Sequence, residues 1–520
     1  MKTRVMAATV IAAVVALAAG LVSRSAASPR AAISVLRVGL PFSVSSVDPA
    51  RNSQGNGLEL NILQLEGLVA LGPDGKLHPW LATSWSQPDP TDFVFKLRRG
   101  VKFWDGSEMT SADVVNALNY YRFPEFQADF GDAYTRVRRV KPAGRYTVVV
   151  TLRKPNAAFL YQLANTGRIF EKKQQLQDPT SFGKPGTLVV GTGPWRLTKL
   201  DPTSGAELVA NPRYWRGKVA IPRISYKFFK DETSEALAFR AGEIDVVPRV
   251  TGQRAFTSAA GTTLVSGPSC REAYFFLNTK VAPWNDVHVR RAVAYAINRQ
   301  DIINGTVGEG FARPQYTLIT QSQLGLLGSP AQVAAALKTV PSNAFDLAKA
   351  KQELAKSAYP NGFNFDFPAG NLTVWPLGTQ IIAGQLAKIG LKADVSVLSL
   401  GAWAGKVYGP PEGRPISFVT STCSDDPGYY FTEPVGSKGS NFSNYTGVDD
   451  LIAQGLTTLD PLKRLAVYTK TLRKLAADVP VIPIFNQLFS SALSSRLSWS
   501  GHSQTTYFSG LPWALSIKSK

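Results

Sequence analysis

The amino-acid sequence predicts an α/β fold that is divided into more than one domain. The chain has 520 residues, 44% of them hydrophobic and 18% charged, which describes an ordered globular protein. A chain of this length exceeds what one hydrophobic core usually supports. Short β-rich segments alternate with segments of helical spacing, an order that is typical of sheets flanked by helices.

The first elements surround a small polar loop. Residues 33–40 are rich in β-forming side chains and predict a strand. The loop that follows, 41–49, carries serines and an aspartate, and loops of this kind line ligand clefts at strand ends. Residues 56–68 have leucines at helical spacing, and residues 93–97 alternate between apolar and more polar side chains, as in a half-buried strand.

Local signals predict the remaining helices and strands. Thr110 and Asp113 have the spacing of a capping box and begin a predicted helix that runs to about Tyr121. Asp286 and Asp346 begin two further helices. The other predicted elements are helices at 233–240, 379–389 and two within 449–477, and strands at 146–152, 224–229, 244–247, 274–277, 395–398 and, as the final one, 479–485.

The first residues have the pattern of a secretory signal. Lys2 and Arg4 lead into an apolar run over 6–22, and Ser25-Ala26-Ala27 offers a cleavage site after Ala27. A run of this length could also stay uncleaved as a membrane anchor. No second stretch is long enough to span a bilayer, so the chain from about Ser28 onward is expected to be an exported soluble body.

A net charge of +20 raises the question of a nucleic-acid partner. Lys and Arg are scattered, however, and the densest run, Arg136, Arg138, Arg139 and Lys141, has no interleaved aromatic residues that could stack on bases. No nucleic-acid partner is therefore expected. The charge predicts a solvated basic face near a polyanionic surface, such as a cell wall or anionic lipid headgroups.

The sequence lacks the usual markers of catalysis and metal binding. His78, His288 and His502 are too few and too scattered for a zinc cluster. Neither a Gly-x-Ser-x-Gly elbow nor a phosphate-binding loop is present. Asp425 and Asp426 are adjacent, and adjacent side chains on an extended chain point to opposite faces, which disfavours joint acid–base work. No catalytic residue, metal or cofactor is expected.

The stretch 421–430 combines a cysteine, two carboxylates and two tyrosines around Pro427-Gly428. By itself it fits either a solvated turn, because Asp-Pro-Gly is ordinary turn chemistry, or a ligand loop with a buried anion and an aromatic wall. The only cysteines in the chain are Cys270 and Cys423. In an exported protein, an even count of two suggests one disulfide.

Three long blocks resemble one known family. The segments FKLRRGVKFWDGSEMTSADVV, GTGPWRLTKLDPTSGAELVANPRYWRG and NTKVAPWNDVHVRRAVAYAINRQDII occur in the order found in the family 5 extracellular solute-binding proteins. These are the oligopeptide- and dipeptide-binding receptors of ABC importers. The likeness runs from about Leu36 to Phe485 and is specific for the family and its fold, less so for the ligand.

The resemblance implies a two-lobed periplasmic-binding-protein fold, type II, of the large peptide-binding subclass. Two lobes close over the ligand, and a third, smaller domain is inserted in the first lobe. The implied division is a signal peptide at 1–27, lobe I at 28–57, 187–268 and 486–520, an inserted domain at 58–186, and lobe II at 269–485.

The resemblance also implies an ammonium site. In peptide-binding relatives, a tryptophan precedes a Trp-Cys-x-Asp segment whose acid receives the terminal ammonium of the peptide. Trp403 and Cys423-Ser424-Asp425 stand at the matching places, while Thr422 replaces the second tryptophan and removes an aromatic wall. Asp425 is the implied acceptor and Asp426 the second choice. Either acid could instead cap a local turn, and Trp403 could instead be a core residue.

Further contacts follow from the same resemblance. Ser421, Thr422 and Cys423 would offer backbone groups to an extended ligand, as in strand addition. A disulfide between Cys270 and Cys423 would hold that loop against the strand before Asn278-Thr279. The residues that would face the loop from lobe I are Val44, Ser45 and Ser46.

The implied function is binding, not catalysis. The chain is expected to capture a short peptide outside the cytoplasm, in the periplasm or at the outer face of the cytoplasmic membrane. It would deliver this cargo, as a monomer, to the permease subunits of an ABC transporter. Two alternatives stay open: the same fold binding a sugar, an opine or a metal complex, and a secreted peptidase or amidase that uses the two acids.

Overall fold

The computed structural model describes residues 32–51, 57–72, 76–122, 134–250, 256, 261–372, 374–420, 426–503 and 511–520. The predicted signal peptide, 1–27, lies outside these residues. None of the described helices is both long and apolar enough to cross a membrane.

Strands and helices alternate along the described chain. The strands are β1 Leu36–Leu40, β2 Glu66–Gly67, β3 Val69–Leu71, β4 Leu77–Pro79, β5 Ala82–Asp89, β6 Asp92–Leu97, β7 Val137–Pro142, β8 Thr147–Leu152, β9 Arg168–Ile169, β10 Trp195–Asp201, β11 Gly205–Ala210, β12 Arg223–Phe228, β13 Val246–Val247, β14 Thr262–Gly267, β15 Glu272–Phe276, β16 Ala312–Pro314, β17 Phe363–Gly370, β18 Leu391–Leu398, β19 Ser417–Thr420, β20 Val481–Gln487, β21 Phe489–Ser494, β22 Leu497–Trp499 and β23 Ile517–Ser519. The α-helices are α1 Leu58–Gln64, α2 Ser111–Arg122, α3 Phe159–Thr166, α4 Lys172–Gln177, α5 Glu232–Arg240, α6 Val287–Ala296, α7 Arg299–Gly305, α8 Gln321–Leu324, α9 Pro330–Lys338, α10 Leu347–Ala355, α11 Trp375–Ala387, α12 Leu400–Val407, α13 Tyr429–Val435, α14 Asp449–Thr457 and α15 Pro461–Asp478, with 3₁₀ turns at Pro411–Gly413 and Trp513–Ser516.

The largest sheet has seven strands in the order β10-β11-β12-β1-β13-β21-β14. Strand β1 lies at its centre and runs parallel to both β12 and β13. Its side chains Leu36, Val38 and Leu40 are buried in the core, as a central strand requires. Because β1 and β13 are parallel, their carboxyl ends meet at the same edge of the sheet.

The prediction that 479–485 is the final strand is wrong. Strand β21 lies further along the chain and pairs with β13 and β14 inside the seven-stranded sheet, and β22 and β23 follow it. The sequence of β21 looks polar because of its serines. Ser490 and Ser491 are nevertheless buried, and their hydroxyls bond to Ser266, to the carbonyl of Pro248 and to His502.

A four-stranded antiparallel sheet, β5-β6-β8-β7, forms a separate layer in the first part of the chain. In β6, Phe93 and Phe95 are buried while Lys96 is exposed, so the predicted half-buried strand is confirmed. The predicted helix after it begins at Ser111, where the backbone N–H of Thr110 donates to Asp113 Oδ2 at 2.9 Å.

The structure corrects the predicted boundaries of two helices. The helix predicted over 56–68 ends at Gln64, because Glu66–Gly67 leaves the helix to pair with β9. The helix predicted from Thr379 begins at Trp375, since a proline in the first turn costs no hydrogen bond.

A second four-stranded sheet, β16-β20-β15-β19, belongs to a hydrophobic core separate from that of the seven-stranded sheet. The parallel pair β17 and β18, connected through α11, packs on this second core. The chain passes between the two large sheets twice, from β14 to β15 and from β20 to β21. The crossings lie side by side, with the N–H of Gln487 donating to the carbonyl of Arg271 at 2.9 Å.

Candidate functional site

The loop after β1 lies at the edge where the parallel strands of the seven-stranded sheet end, and ligands in open α/β sheets bind at such edges. Three of its residues were predicted to contact ligand. Val44 is buried, Ser45 is exposed and Ser46 is partly buried. The Ser46 hydroxyl donates to the carbonyl of Gly183 at 3.2 Å, and the N–H of Val47 donates to the same carbonyl at 2.7 Å. The structure thus presents Ser45 outward and holds its neighbours in place.

Four further predicted ligand contacts lie outside the described residues and stay predictions, as does their position opposite this loop: Ser421, Thr422, Cys423 and Asp425. Strand β19 leads into them as the edge strand of its sheet. The end of that strand is held by Trp375, whose Nε1 donates to Thr420 Oγ1 at 3.3 Å.

Asp426 is buried, with only 2% of its surface exposed. Its two carboxylate oxygens accept hydrogen bonds from Arg464 at 2.8 and 2.7 Å, and Oδ1 also accepts the N–H of Gly428 at 2.7 Å. Burial lowers the pKa of Arg464, but the charge and hydrogen bonds of Asp426 outweigh burial, and the net shift of that pKa is upward. In this arrangement the carboxylate of Asp426 serves an internal ion pair and the local turn.

Trp403, the predicted aromatic wall, lies in α12 and is 3% exposed. Its ring packs against Trp375 with centroids 4.6 Å apart. Its indole Nε1 is buried and has no hydrogen-bond partner among the described residues. The ring therefore belongs to the core in this conformation, and its contact with a ligand stays a prediction.

Cys270 stands directly before β15 and is 7% exposed. It is not a free thiol. Cys423 lies outside the described residues, and the disulfide between the two stays a prediction.

Sequence reasoning missed a group of charged residues beside the loop after β1. Glu59 in α1 and Glu235 in α5 are each 1% exposed. Burial raises the pKa of each carboxyl to about 8, and the charge of Arg249 partly opposes both shifts. Arg249 follows β13, and its guanidinium lies 5.3 Å from the ring centroid of Phe42. These residues come from separate parts of the chain, so no local motif could have revealed them.

Metal binding finds no support in the part of the chain that the structure describes, where no group of three or more His, Cys, Asp or Glu could hold an ion. The buried acids have cationic and aromatic neighbours instead. This environment suits the recognition of a charged organic solute.

Comparisons with known proteins identify the fold and the family. The sequence model for the bacterial extracellular solute-binding proteins, family 5 Middle, matches residues 76–440. The glutathione-binding protein GsiB of Salmonella choleraesuis (strain SC-B67) is 26% identical over 500 residues, which cover 92% of this chain and 94% of that protein.

Solved structures give the same result for the fold. The periplasmic binding protein DppA of Helicobacter pylori, in complex with the peptide STSA, matches with a TM-score of 0.74 and 22% identity, covering 94% of this chain and 98% of DppA. MoaA of A. tumefacien R10, in complex with mannopinic acid, matches with a TM-score of 0.74 and 24% identity, covering 94% of this chain and 100% of MoaA.

These comparisons decide two of the predictions. The predicted α/β fold of the type II periplasmic binding proteins, peptide-binding subclass, is confirmed. The relatives and structural neighbours are substrate-binding proteins. The chain is not an enzyme, and the alternative of a secreted peptidase or amidase is wrong.

Proposed function

Because the chain belongs to family 5 of the bacterial extracellular solute-binding proteins, we propose that it captures a short peptide or peptide-like solute between two lobes and delivers it to the permease of an ABC transporter. The observation that carries this proposal is the pair of adjacent crossings between two separate cores. A double connection of this kind acts as a hinge for closure around a ligand.

The mechanism is a shift between open and closed states. A solute that contacts both lobes binds the closed state more tightly than the open one and so stabilises it. The permease then recognises the closed form. The proposed division keeps lobe I at 28–57, 187–268 and 486–520, the inserted domain at 58–186, and lobe II at 269–485, and the protein acts as a monomer after export.

For the ligand ammonium we propose Asp425, with Ser45 facing it from lobe I. Asp426 is the weaker candidate because Arg464 already occupies both of its oxygens. A carboxylate in a closed cleft needs a cation to offset its loss of hydration, and an ammonium supplies one. We further propose the disulfide between Cys270 and Cys423, which would attach the loop that carries Asp425 to β15.

Mass spectrometry of solutes that co-purify with the protein tests the cargo, followed by calorimetry with di- to pentapeptides. We expect Asp425→Asn to weaken peptide binding at least about tenfold, the loss of one charge-assisted contact. The matched control is Asp366→Asn, because Asp366 is exposed on β17. If Asp425→Asn binds peptides with unchanged affinity, Asp425 does not bind the ligand ammonium. If a sugar co-purifies and no peptide binds, the proposed peptide cargo is wrong.

A further inference from the structure

One arginine lies on a segment that connects the two cores, and a second lies beside the other connecting segment. Arg249 follows β13, and the N–H of its neighbour Val250 donates to the carbonyl of Ser490 at 2.8 Å. Arg271 lies in the first crossing, where its N–H donates to Ser269 Oγ at 2.9 Å and its carbonyl accepts the N–H of Gln487 at 2.9 Å. Both backbones are therefore fixed against one stretch of chain, 487–490, which spans about 10 Å when extended.

The positive charges of these two arginines repel each other. Burial and, to a smaller extent, the charge of Arg249 lower the pKa of Arg271 to about 10, while the charge of Glu232 opposes the shift. Within the described residues, neither guanidinium donates a hydrogen bond or forms an ion pair. Two cations that repel each other, and that no carboxylate binds directly within the described residues, are an unfavourable arrangement that an anion would relieve.

The buried acids nearby do not supply that anion at neutral pH. Glu59 and Glu235 have pKa values raised to about 8 by burial, so both hold a proton at pH 7. Neither oxygen of Glu59 has a hydrogen-bond partner among the described residues. Glu232 is the remaining carboxylate near Arg271, and one negative charge leaves the arginine pair with a net positive charge.

We propose that Arg249 and Arg271 form a carboxylate-binding subsite on the hinge side of the cleft, so that the solute is an acid with at least one free carboxylate. This inference rests on the proposed function and specifies its substrate class. The planar guanidinium fork binds carboxylates through two parallel hydrogen bonds. Because Arg271 lies in a crossing and Arg249 in the first core, a shared carboxylate stabilises the closed state.

The experiment compares solutes that differ only at the carboxyl group. Tri-alanine is paired with its C-terminal amide, and glutathione with its diethyl ester, and affinities are measured by calorimetry for wild type, Arg271→Gln and Arg249→Gln. The matched control is Arg196→Gln, because Arg196 is exposed on β10. We expect wild type and the control to bind the acid at least about tenfold more tightly than its neutral partner, and both arginine variants to lose that preference.

Two outcomes overturn the subsite while leaving the proposed function standing: equal affinity of wild type for acid and neutral partner, or a full acid preference in Arg271→Gln. If none of the four solutes binds and the co-purified solute lacks a carboxylate, both the subsite and the proposed function are wrong. The wild-type comparison needs no variant, so it decides the question even if a substitution impairs folding.

Discussion

Asp426 and Arg464 form a bidentate ion pair that is almost completely buried, with side chains 2% and 3% exposed. Arg464 also donates to the carbonyl of Gly455 at 2.9 Å and to the hydroxyl of Tyr468 at 2.9 Å. The pair connects the segment that begins at Asp426 to α15. Its position explains why the second carboxylate of the Asp425-Asp426 pair has a structural role.

Removing one partner of this pair leaves a buried charge without compensation. We expect Arg464→Met to lower the free energy of unfolding by about 3–5 kcal/mol, measured by urea denaturation. The control is Lys227→Met, which breaks an ion pair whose side chains are each 52% exposed and which is expected to cost less than about 1 kcal/mol. Equal effects of the two variants would contradict the proposed structural role.

Glu66 organises four donors from distant parts of the chain. Its Oε1 accepts from Trp80 Nε1 at 2.7 Å and Tyr214 Oη at 3.1 Å, and its Oε2 accepts from Trp215 Nε1 at 2.9 Å and Thr192 Oγ1 at 2.8 Å. In Glu66→Gln, an amide NH₂ replaces one acceptor, so the buried indole N–H on that side faces another donor, while the hydroxyl on that side can turn to accept from the amide.

We expect Glu66→Gln to cost about 1–3 kcal/mol of unfolding free energy, the cost of one unsatisfied buried group. Thermal or urea denaturation measures the loss, with Glu412→Gln in the exposed turn Pro411–Gly413 as the control. A variant that unfolds at the wild-type midpoint would show that the donors find other partners.

The elements that local chemistry determines could be predicted from the sequence. The side chain of Asp286 accepts the N–H of His288 at 2.8 Å, and that of Asp346 accepts the N–H of Lys349 at 3.0 Å, as caps read from the sequence should. The pairing of Asp426 with Arg464 could not be predicted, because neither residue has a local signal for the other. The same holds for Arg249 and Arg271, whose proximity depends on β21 joining the large sheet.

Gly191 illustrates a close approach inside a block that resembles the family. A Cβ at this position would lie 2.2 Å from the carbonyl oxygen of Gln64 and 2.6 Å from Leu65 Cδ2. We expect Gly191→Ala to cost about 1–3 kcal/mol through overpacking, measured by the urea midpoint. Gly186→Ala is the control, because a Cβ there meets nothing within 4 Å. The prediction is wrong if both variants unfold at the same midpoint.

The proposed disulfide has a direct chemical test. Peptide mass mapping without reduction should recover Cys270 and Cys423 in one linked peptide pair, and thiol labelling of folded protein should give no product. In the chain-entropy model, closing so long a loop contributes about 4–5 kcal/mol, so reduction should lower the unfolding temperature. Two labelled thiols in folded protein would contradict the pairing.

The buried carboxyls near Arg249 predict how stability depends on pH. The pKa of Glu59 is raised from 4.5 to about 8, chiefly by burial and despite Arg249, and Glu235 is raised to about 8 with Glu232 and Glu59 adding to burial. Between about pH 4.5 and about pH 8, Glu59 and Glu235 keep protons in the folded state that they release in the unfolded state. The stability that these two carboxyls contribute is therefore complete below about pH 4.5 and is lost as the pH rises through about 8.

We expect the urea midpoint of wild type to fall between pH 6 and pH 9, and Glu59→Gln to show a shallower fall because a neutral amide replaces one of the two titrating groups. Glu235 still titrates in this variant, so its urea midpoint still falls with pH, although less than that of wild type. The control is Glu309→Gln, an exposed residue that should leave the wild-type slope unchanged. If Glu59→Gln keeps the full slope, Glu59 does not titrate in this range, and its part in the pH dependence of stability is contradicted.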